Sequence, residues 1–358
     1  DDGSEKEKLL NGVLAPFINS DLTAHADVSS AKHLEENAGL CFLGMMKAGA
    51  FDIDEALAMQ MLAAKNASGV LNSDVVKPRM AGQDVTDRPR PIWIIDFGVN
   101  MTEEQARQYE MPYKHVETYV KPVRATNNRK SMRVRWWIHG EARPGLRDAI
   151  KQLERCLITP EVAKHRIFAW MNTAIVPDHK LHVIARDDDY FFGVLQSKVH
   201  ELWTLKTCSW LGVGNDPSYS SSRTFETFPF PFPPGKEDMD DPRVQAVAAA
   251  AKMLHDERHA WLHPAEASAD LKERTLTNVY NALVAWREHA LTPQPPLPHV
   301  AQSDSTSDGL QRDGGEGESE DSTRGDSGLP SPSGTPRLGE GLGVRASPRA
   351  ATPAPLSP

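Results

Sequence analysis

The uneven distribution of aromatic residues sets the strongest limit on what this chain can fold into. All of its 11 Phe, 8 Trp and 6 Tyr residues lie at or before Trp286. Residues 291–358, by contrast, hold 11 of the 27 prolines and 10 of the 24 glycines. A segment of this composition cannot bury enough apolar surface to offset the conformational entropy lost on folding. We therefore expect a disordered tail over residues 291–358, behind a globular part of about 290 residues with a sizeable core.

Composition also excludes several classes of protein. Apolar runs such as residues 246–251 fall far short of the roughly 20 residues that a membrane span requires. The acidic opening Asp1-Asp2-Gly3-Ser4-Glu5 does not resemble a signal peptide. Three widely spaced cysteines, Cys41, Cys156 and Cys208, are typical of reduced thiols. These features predict a cytoplasmic protein with no membrane partner, and the missing initiator Met suggests a piece of something longer.

Hydrophobic periodicity and turn residues predict mixed α and β structure. The predicted helices are residues 53–62, 101–110, a helix from about Gly145, 193–205, 241–262 and 267–288. Asp52 would cap the first helix, with Glu55 completing a capping box. The helix from about Gly145 would carry Arg147, Lys151 and Arg155 in one outward row. The predicted strands are 92–97, 134–138, 166–176 and 180–185. Strands mixed with helices and then followed by helices alone indicate an α+β domain with a small all-α helical domain behind it.

The net charge of −9 conceals a strongly basic segment. Residues 113–151 contain ten Lys and Arg against three acids, a net charge of +7. Phosphate binding depends on local basic density rather than on the chain average. The candidate phosphate ligands are Lys121, Arg124, Arg129, Lys130, Arg133 and Arg135, in a loop that also contains Asn127 and Asn128. The alternative is a solvated face that happens to be basic.

A second basic group, Lys164-His165-Arg166, stands at the entrance of a predicted strand. It could contact DNA, or its cations could stabilise the C-terminus of a helix through the helix dipole.

Acidic and histidine clusters offer weaker alternatives. Asp178 and residues 187–189 could hold Mg²⁺ in a nuclease, but the lysine pattern around them matches only loosely, and acids in turns explain them better. His255 and His259 share a helix face, where a solvated surface is a better explanation than a metal site. We predict no metal, cofactor or catalytic residue in this chain. No glycine-rich FxGxG loop for S-adenosylmethionine and no [DNS]PP[YFW] motif for a flipped base occurs.

An ordered set of short motifs carries a family resemblance. The motifs are LEEN at 34–37, FLGM at 42–45, GVLNSDV at 69–75, WIIDF at 93–97, VKPVR at 120–124, RWW at 135–137, KHR at 164–166, FGVLQS at 192–197, Tyr219 with TFETFP at 224–229, and RTLTNVYN at 274–281. In order and spacing this set resembles the portion of MmeI-like, type IIG-related class I DNA methyltransferases that follows the catalytic domain. The resemblance covers residues 10–288, approximately.

The resemblance implies a domain plan and a function. Residues 1–36 would be a connector from an upstream methyltransferase domain, 37–235 the target-recognition domain, 236–290 a truncated helical domain and 291–358 the disordered tail. The module would recognise specific duplex DNA in a bacterial restriction-modification or phage-defence system. Adenine N6 methylation with S-adenosylmethionine would belong to the upstream domain, so we expect this chain to be inactive alone. The absent catalytic motifs and the composition change near His289 suggest a truncated or interrupted gene.

Overall fold

A computed structural model describes residues 7–15, 18, 28, 31–211, 216–266 and 270–291, and these belong to one compact unit. Its mixed helices and sheets, with a helical C-terminal region, confirm the predicted α+β class. No helix among the described residues is long and apolar enough to cross a membrane. The predicted tail, apart from Leu291, lies outside the described residues.

Two four-stranded sheets form the centre of the described chain. Sheet I has the order β4-β6-β5-β9, with β4 Asp52–Asp54, β6 Ile92–Ile95, β5 Val76–Met80 and β9 Val176–Pro177. Sheet II has the order β3-β10-β7-β8, with β3 Cys41–Leu43, β10 Leu181–Ile184, β7 Arg155–Pro160 and β8 Ala169–Asn172. Two hairpins pair β1 Lys8–Leu10 with β2 Val13–Ala15 and β11 Ser209–Leu211 with β12 Asp216–Ser218. Among the named strands, only β5 and β9 pair in parallel.

The helices pack around these sheets. They are α1 Glu55–Ala63, α2 Gly82–Thr86, α3 Glu103–Ala106, α4 Glu110–Tyr119, α5 Lys121–Ala125, α6 Lys130–Val134, α7 Pro144–Ile150, α8 Asp189–Gln196, α9 Lys198–Thr207, α10 Pro242–Leu262 and α11 Leu276–Leu291. Side-chain caps fix where several begin. Asp188 accepts a hydrogen bond from the Phe191 amide at 2.8 Å, which starts α8, and Ser197 accepts from the His200 amide at 3.2 Å, which starts α9.

The hydrophobic core follows the two sheets. One cluster joins sheet I to α1 and α4 and includes Trp136 and Trp137. Two further clusters include residues of sheet II, and one of them contains Phe191 and Phe192 of α8. Helix α10 lies close against α8 at Gly193, where an added Cβ would stand 2.6 Å from Val247 Cγ1. The helical C-terminal region therefore packs directly on the mixed α+β part.

The chain passes from sheet I to sheet II at Asp178, directly after β9. Strand β3 ends at Leu43, and the amide of the next residue, Gly44, donates to the carbonyl oxygen of Leu181 at 2.9 Å. A Cβ on Gly44 would lie only 2.1 Å from the backbone oxygen of Asp178, so no side chain fits there. Arg79 Nη2 donates to the Asp178 carboxylate at 2.5 Å and ties the junction to β5.

Several sequence predictions of local structure are confirmed. Strand β6 lies within predicted 92–97, β10 within 180–185, and α10 within 241–262. Predicted helix 193–205 is in fact two helices, α8 and α9, because Ser197 ends one and caps the next. The start of α1 is capped by Asp54, not Asp52, because the helix begins at Glu55 and Asp54 accepts a hydrogen bond from the Leu57 amide.

Two predictions around the basic segment are wrong. Residues 134–138 are not a strand, because α6 ends at Val134 and a turn follows. That turn buries both Trp136 and Trp137 in the same core cluster. The outward row of Arg147, Lys151 and Arg155 does not exist either, because α7 ends at Ile150 and Arg155 begins β7. The domain boundary predicted at 235/236 stays a prediction.

Candidate nucleic-acid interface

Within the basic segment, residues 126–135 form an exposed stretch that includes the short helix α6, and we call this stretch the basic loop. Arg129, Lys130, Arg133 and Arg135 are exposed, and none of them forms an ion pair with a carboxylate in the described part of the chain. The sequence has no acid between Glu117 and Glu141. The loop therefore presents four positive charges to solvent within seven residues.

Hydrogen bonds within the basic loop, and one to Val99, give the loop its shape. The Asn127 side chain accepts from the Arg129 amide at 2.9 Å, and Arg133 Nη1 donates to the carbonyl oxygens of Asn127 at 2.5 Å and Asn128 at 3.1 Å. Arg135 Nη2 donates to the carbonyl oxygen of Val99. The guanidinium groups of Arg133 and Arg135 are thus each held by hydrogen bonds through one nitrogen, and both residues remain exposed. The Asn128 side chain is exposed and free to meet a ligand.

Lys121 stands at the edge of this surface but is partly neutralised. Its Nζ lies 3.3 Å from the Glu117 carboxylate and 4.7 Å from the centroid of the Trp136 ring. It remains a candidate phosphate ligand, with a weaker net charge than the loop residues.

The structure corrects the prediction that Arg124 contacts DNA. Its side chain is 1% exposed. Nη2 donates to the carbonyl oxygen of Lys47 at 2.7 Å, Nε to that of Ala48 at 3.2 Å and Nη1 to that of Trp136 at 3.1 Å. Burial lowers the pKa of Arg124 to about 10, which leaves it charged at neutral pH. Arg124 is therefore the internal support of the basic loop.

The second predicted group is also largely structural. Arg166 is buried, and its Nη1 donates to Thr159 Oγ1 at 3.0 Å and its Nη2 to the carbonyl oxygen of Pro217 at 3.1 Å, so it cannot reach DNA. Lys164 Nζ and His165 Nε2 each lie 2.8 Å from Oδ1 of Asn281, on α11. These two residues join the mixed part to the last helix, and any DNA contact by them stays a prediction.

Three acids of the nuclease alternative, Asp178, Asp188 and Asp189, serve structural roles. Asp178 is buried at the sheet junction, where burial acts to raise its pKa, but the Arg79 hydrogen bond and charge, the Lys180 amide and His179 together keep the pKa below the ordinary value. Asp188 caps α8 and pairs with Arg186 at 2.8 Å, while Asp189 pairs with Arg155 at 3.0 Å. Within the described ranges, no group of three or more His, Cys, Asp or Glu side chains is placed to hold a metal ion.

The sequence did not predict the buried ionic group that forms around Asp96. Arg147 Nη2 donates to the two Asp96 oxygens at 3.0 and 2.8 Å, and His139 Nδ1 lies 3.8 Å from the same carboxylate. Burial acts to raise the pKa of Asp96, but the neighbouring His139 and Arg147 side chains outweigh it and hold the pKa below its ordinary value. No sequence signal pairs these residues, because they come from three separate segments.

Part of the chain matches a known protein family. Residues 151–232 match the family model of the MmeI target recognition domain. The chain therefore contains an MmeI-like target recognition domain. This domain includes β7 through β12 and helices α8 and α9, whereas the basic loop precedes it. Comparison with curated proteins gives no match.

A solved structure shares the fold of this chain. It is described as the type IIL restriction-modification enzyme MmeI in complex with DNA. The TM-score is 0.54 at 16% sequence identity, over 75% of this chain and 35% of that one. At this identity the likeness establishes the fold alone. The chain spans about a third of the length of the MmeI chain.

Proposed function

We propose that this chain is the sequence-specific duplex DNA-recognition module of a restriction-modification enzyme. The observation that carries the proposal is the basic loop, which presents four exposed positive charges with no carboxylate partner in the described chain. The MmeI-like target recognition domain over residues 151–232 and the fold shared with an enzyme solved on DNA support it.

The basic loop has the chemistry that duplex DNA requires. Arg and Lys side chains that neutralise phosphates release condensed counterions, which provides most of the sequence-independent affinity. Arg can also bond bidentately to guanine, and Asn to adenine, in the major groove. The exposed Asn128 is therefore a candidate for reading bases, while Arg129, Lys130, Arg133 and Arg135 hold the backbone.

We further propose that methyl transfer to adenine N6 belongs to a methyltransferase domain outside these 358 residues. The chain does not fit S-adenosylmethionine. It has no FxGxG loop, and its described sheets are almost wholly antiparallel, whereas the class I fold holds this cofactor at the glycine-rich turn of a parallel sheet. Incubation with labelled S-adenosylmethionine and duplex DNA is expected to give no methylated product from this chain alone.

Fluorescence anisotropy with a library of short duplexes, at two or more salt concentrations, tests the recognition function. We expect binding whose affinity falls steeply with salt. Replacing Arg129, Lys130, Arg133 and Arg135 together by Gln removes up to four phosphate contacts. The slope of log K against log salt should then become shallower by about 3.6, at about 0.9 per contact.

A matched control separates this effect from a change in overall charge. Lys252→Gln removes an exposed charge that is paired with Asp256 on α10, at 2.7 Å, and should leave the slope unchanged. Absence of binding by the wild-type chain, or binding that salt does not weaken, would reject the proposed function. Equal slopes for the wild type and the fourfold variant would reject the basic loop as its site.

A further inference from the structure

A second positively charged site lies apart from the basic loop, in a cleft of about 260 Å³ beside the junction of the two sheets. Lys77 of β5, Arg147 of α7 and Lys151, just after α7, line it together with the backbone of residues 173–177. The cleft is thus built from β5, from α7 with the residue after it, and from residues 173–177, and the fold brings Lys77 close to Arg147 and Lys151.

Two of these cations have no partner in the described chain. Lys77 and Lys151 form neither an ion pair nor a hydrogen bond through their amines to any described residue. The third, Arg147, is fixed in place, because its Nε donates to the carbonyl oxygen of Ala142 at 2.7 Å and its Nη2 to Asp96. Its Nη1 makes no hydrogen bond among the described residues and remains available to a ligand.

The electrostatic balance of the cleft favours an anion. Three cations and the single carboxylate of Asp96 leave a net charge of +2. Ile150, Ile175 and Val176 form an apolar wall, which lowers the local dielectric constant and strengthens attraction to a bound charge. Asp96 is already occupied by Arg147, so it orients the guanidinium and leaves both lysines unneutralised.

We propose that this cleft binds a phosphate group. Two mobile ammonium groups and one oriented guanidinium offer more donors than the two oxygens of a carboxylate can use, and they match a tetrahedral oxyanion. Resting on the proposed function, we assign the phosphate to the backbone of the bound duplex, beyond the contacts of the basic loop. Free phosphate or pyrophosphate shares the same chemistry.

The variant Lys77→Gln/Lys151→Gln, made in the full chain, tests the assignment by two readouts. Both residues are at least partly exposed, so the fold is expected to persist, and urea unfolding verifies this. In anisotropy with duplex DNA, loss of the one phosphate contact that the cleft provides should make the salt slope shallower by about 0.9. Lys252→Gln again serves as the control with no change.

Pyrophosphate is the second probe. We expect it to raise the melting temperature of the wild type and not of the double variant. A slope change shows a DNA backbone phosphate, whereas pyrophosphate stabilisation without a slope change keeps the phosphate site but rejects its DNA source. Unchanged slope together with no pyrophosphate effect overturns the inference. If the wild type binds no DNA, the proposed function fails while the pyrophosphate readout still tests the cleft.

Discussion

Two arginines five residues apart should respond in opposite ways to replacement by alanine. Arg124 is enclosed in the protein, whereas Arg129 is exposed on the basic loop. We expect Arg124→Ala to destabilise the fold and Arg129→Ala to weaken DNA binding without destabilising the fold. The comparison separates an internal support from a phosphate ligand of the same residue type.

The contacts of Arg124 set the size of the effect. Its guanidinium donates to the carbonyl oxygens of Lys47, Ala48, Trp136 and Ile138. The Gly140 amide still donates to the Lys47 oxygen after truncation, but the oxygens of Ala48, Trp136 and Ile138 lose their donor among the described residues, and each unsatisfied buried group costs about 1–3 kcal/mol. Water entering the vacated space offsets part of this cost. The free energy of unfolding should therefore fall by roughly 3–5 kcal/mol.

Urea unfolding followed by tryptophan fluorescence measures the first effect, and salt-dependent anisotropy the second. Arg129→Ala should change the unfolding free energy by less than about 0.5 kcal/mol, as is usual for exposed sites. It should make the salt slope shallower by about 0.9. An Arg124→Ala protein of wild-type stability, with DNA binding reduced as in Arg129→Ala, would refute the structural role given to Arg124.

Two further predictions concern the packing and pH dependence of the fold. Gly193→Ala should cost about 1–3 kcal/mol, because the new methyl group meets Val247 of α10, and the double variant Gly193→Ala/Val247→Ala should regain part of that loss in urea unfolding. Burial lowers the pKa of His182 to about 4 and of His200 to about 3. Below about pH 6.5 the two histidines take up a proton in the unfolded chain but not in the folded one. The free energy of unfolding should therefore fall by about 1.4 kcal/mol per pH unit for each histidine as the pH drops from 6.5 toward 4. His200→Gln should remove one histidine's share of this dependence, and a pH-independent urea midpoint between pH 7 and 5 would contradict the assignment.

Local signals in the sequence were sufficient for the strongly bounded elements. Strand β6 follows Pro91 and is apolar throughout, and α10 begins at Pro242, directly after the capping Asp241. The turn at Trp136 and Trp137 was misread as a strand because β-forming residues were counted without their surroundings. Tertiary packing of both rings against sheet I outweighs that preference.

The fate of Arg124 could not be read from the sequence for a different reason. Its acceptors at Lys47 and Ala48 lie more than 70 residues earlier in the chain, and only the folded structure brings them to the guanidinium. The same holds for Arg147, whose partner Asp96 is 51 residues away. Arginines in a basic stretch look alike in the sequence, and the fold decides which of them remain outside.

A charge count along the sequence and a count on the surface therefore identify different phosphate ligands. The sequence offers six bases between Glu117 and Glu141, but the structure buries Arg124 and pairs Lys121 with Glu117. The fold then adds Lys77 and Lys151 in the cleft, from outside that stretch. The sequence count gives six contacts and a wild-type slope of about −5.4, whereas four loop contacts and one cleft phosphate give five contacts and a slope of about −4.5, at 0.9 per contact. These two slopes differ by only about 0.9 and do not show which residues contribute, so the slopes of the Arg124, Arg129 and cleft-lysine variants identify the residues that hold the DNA.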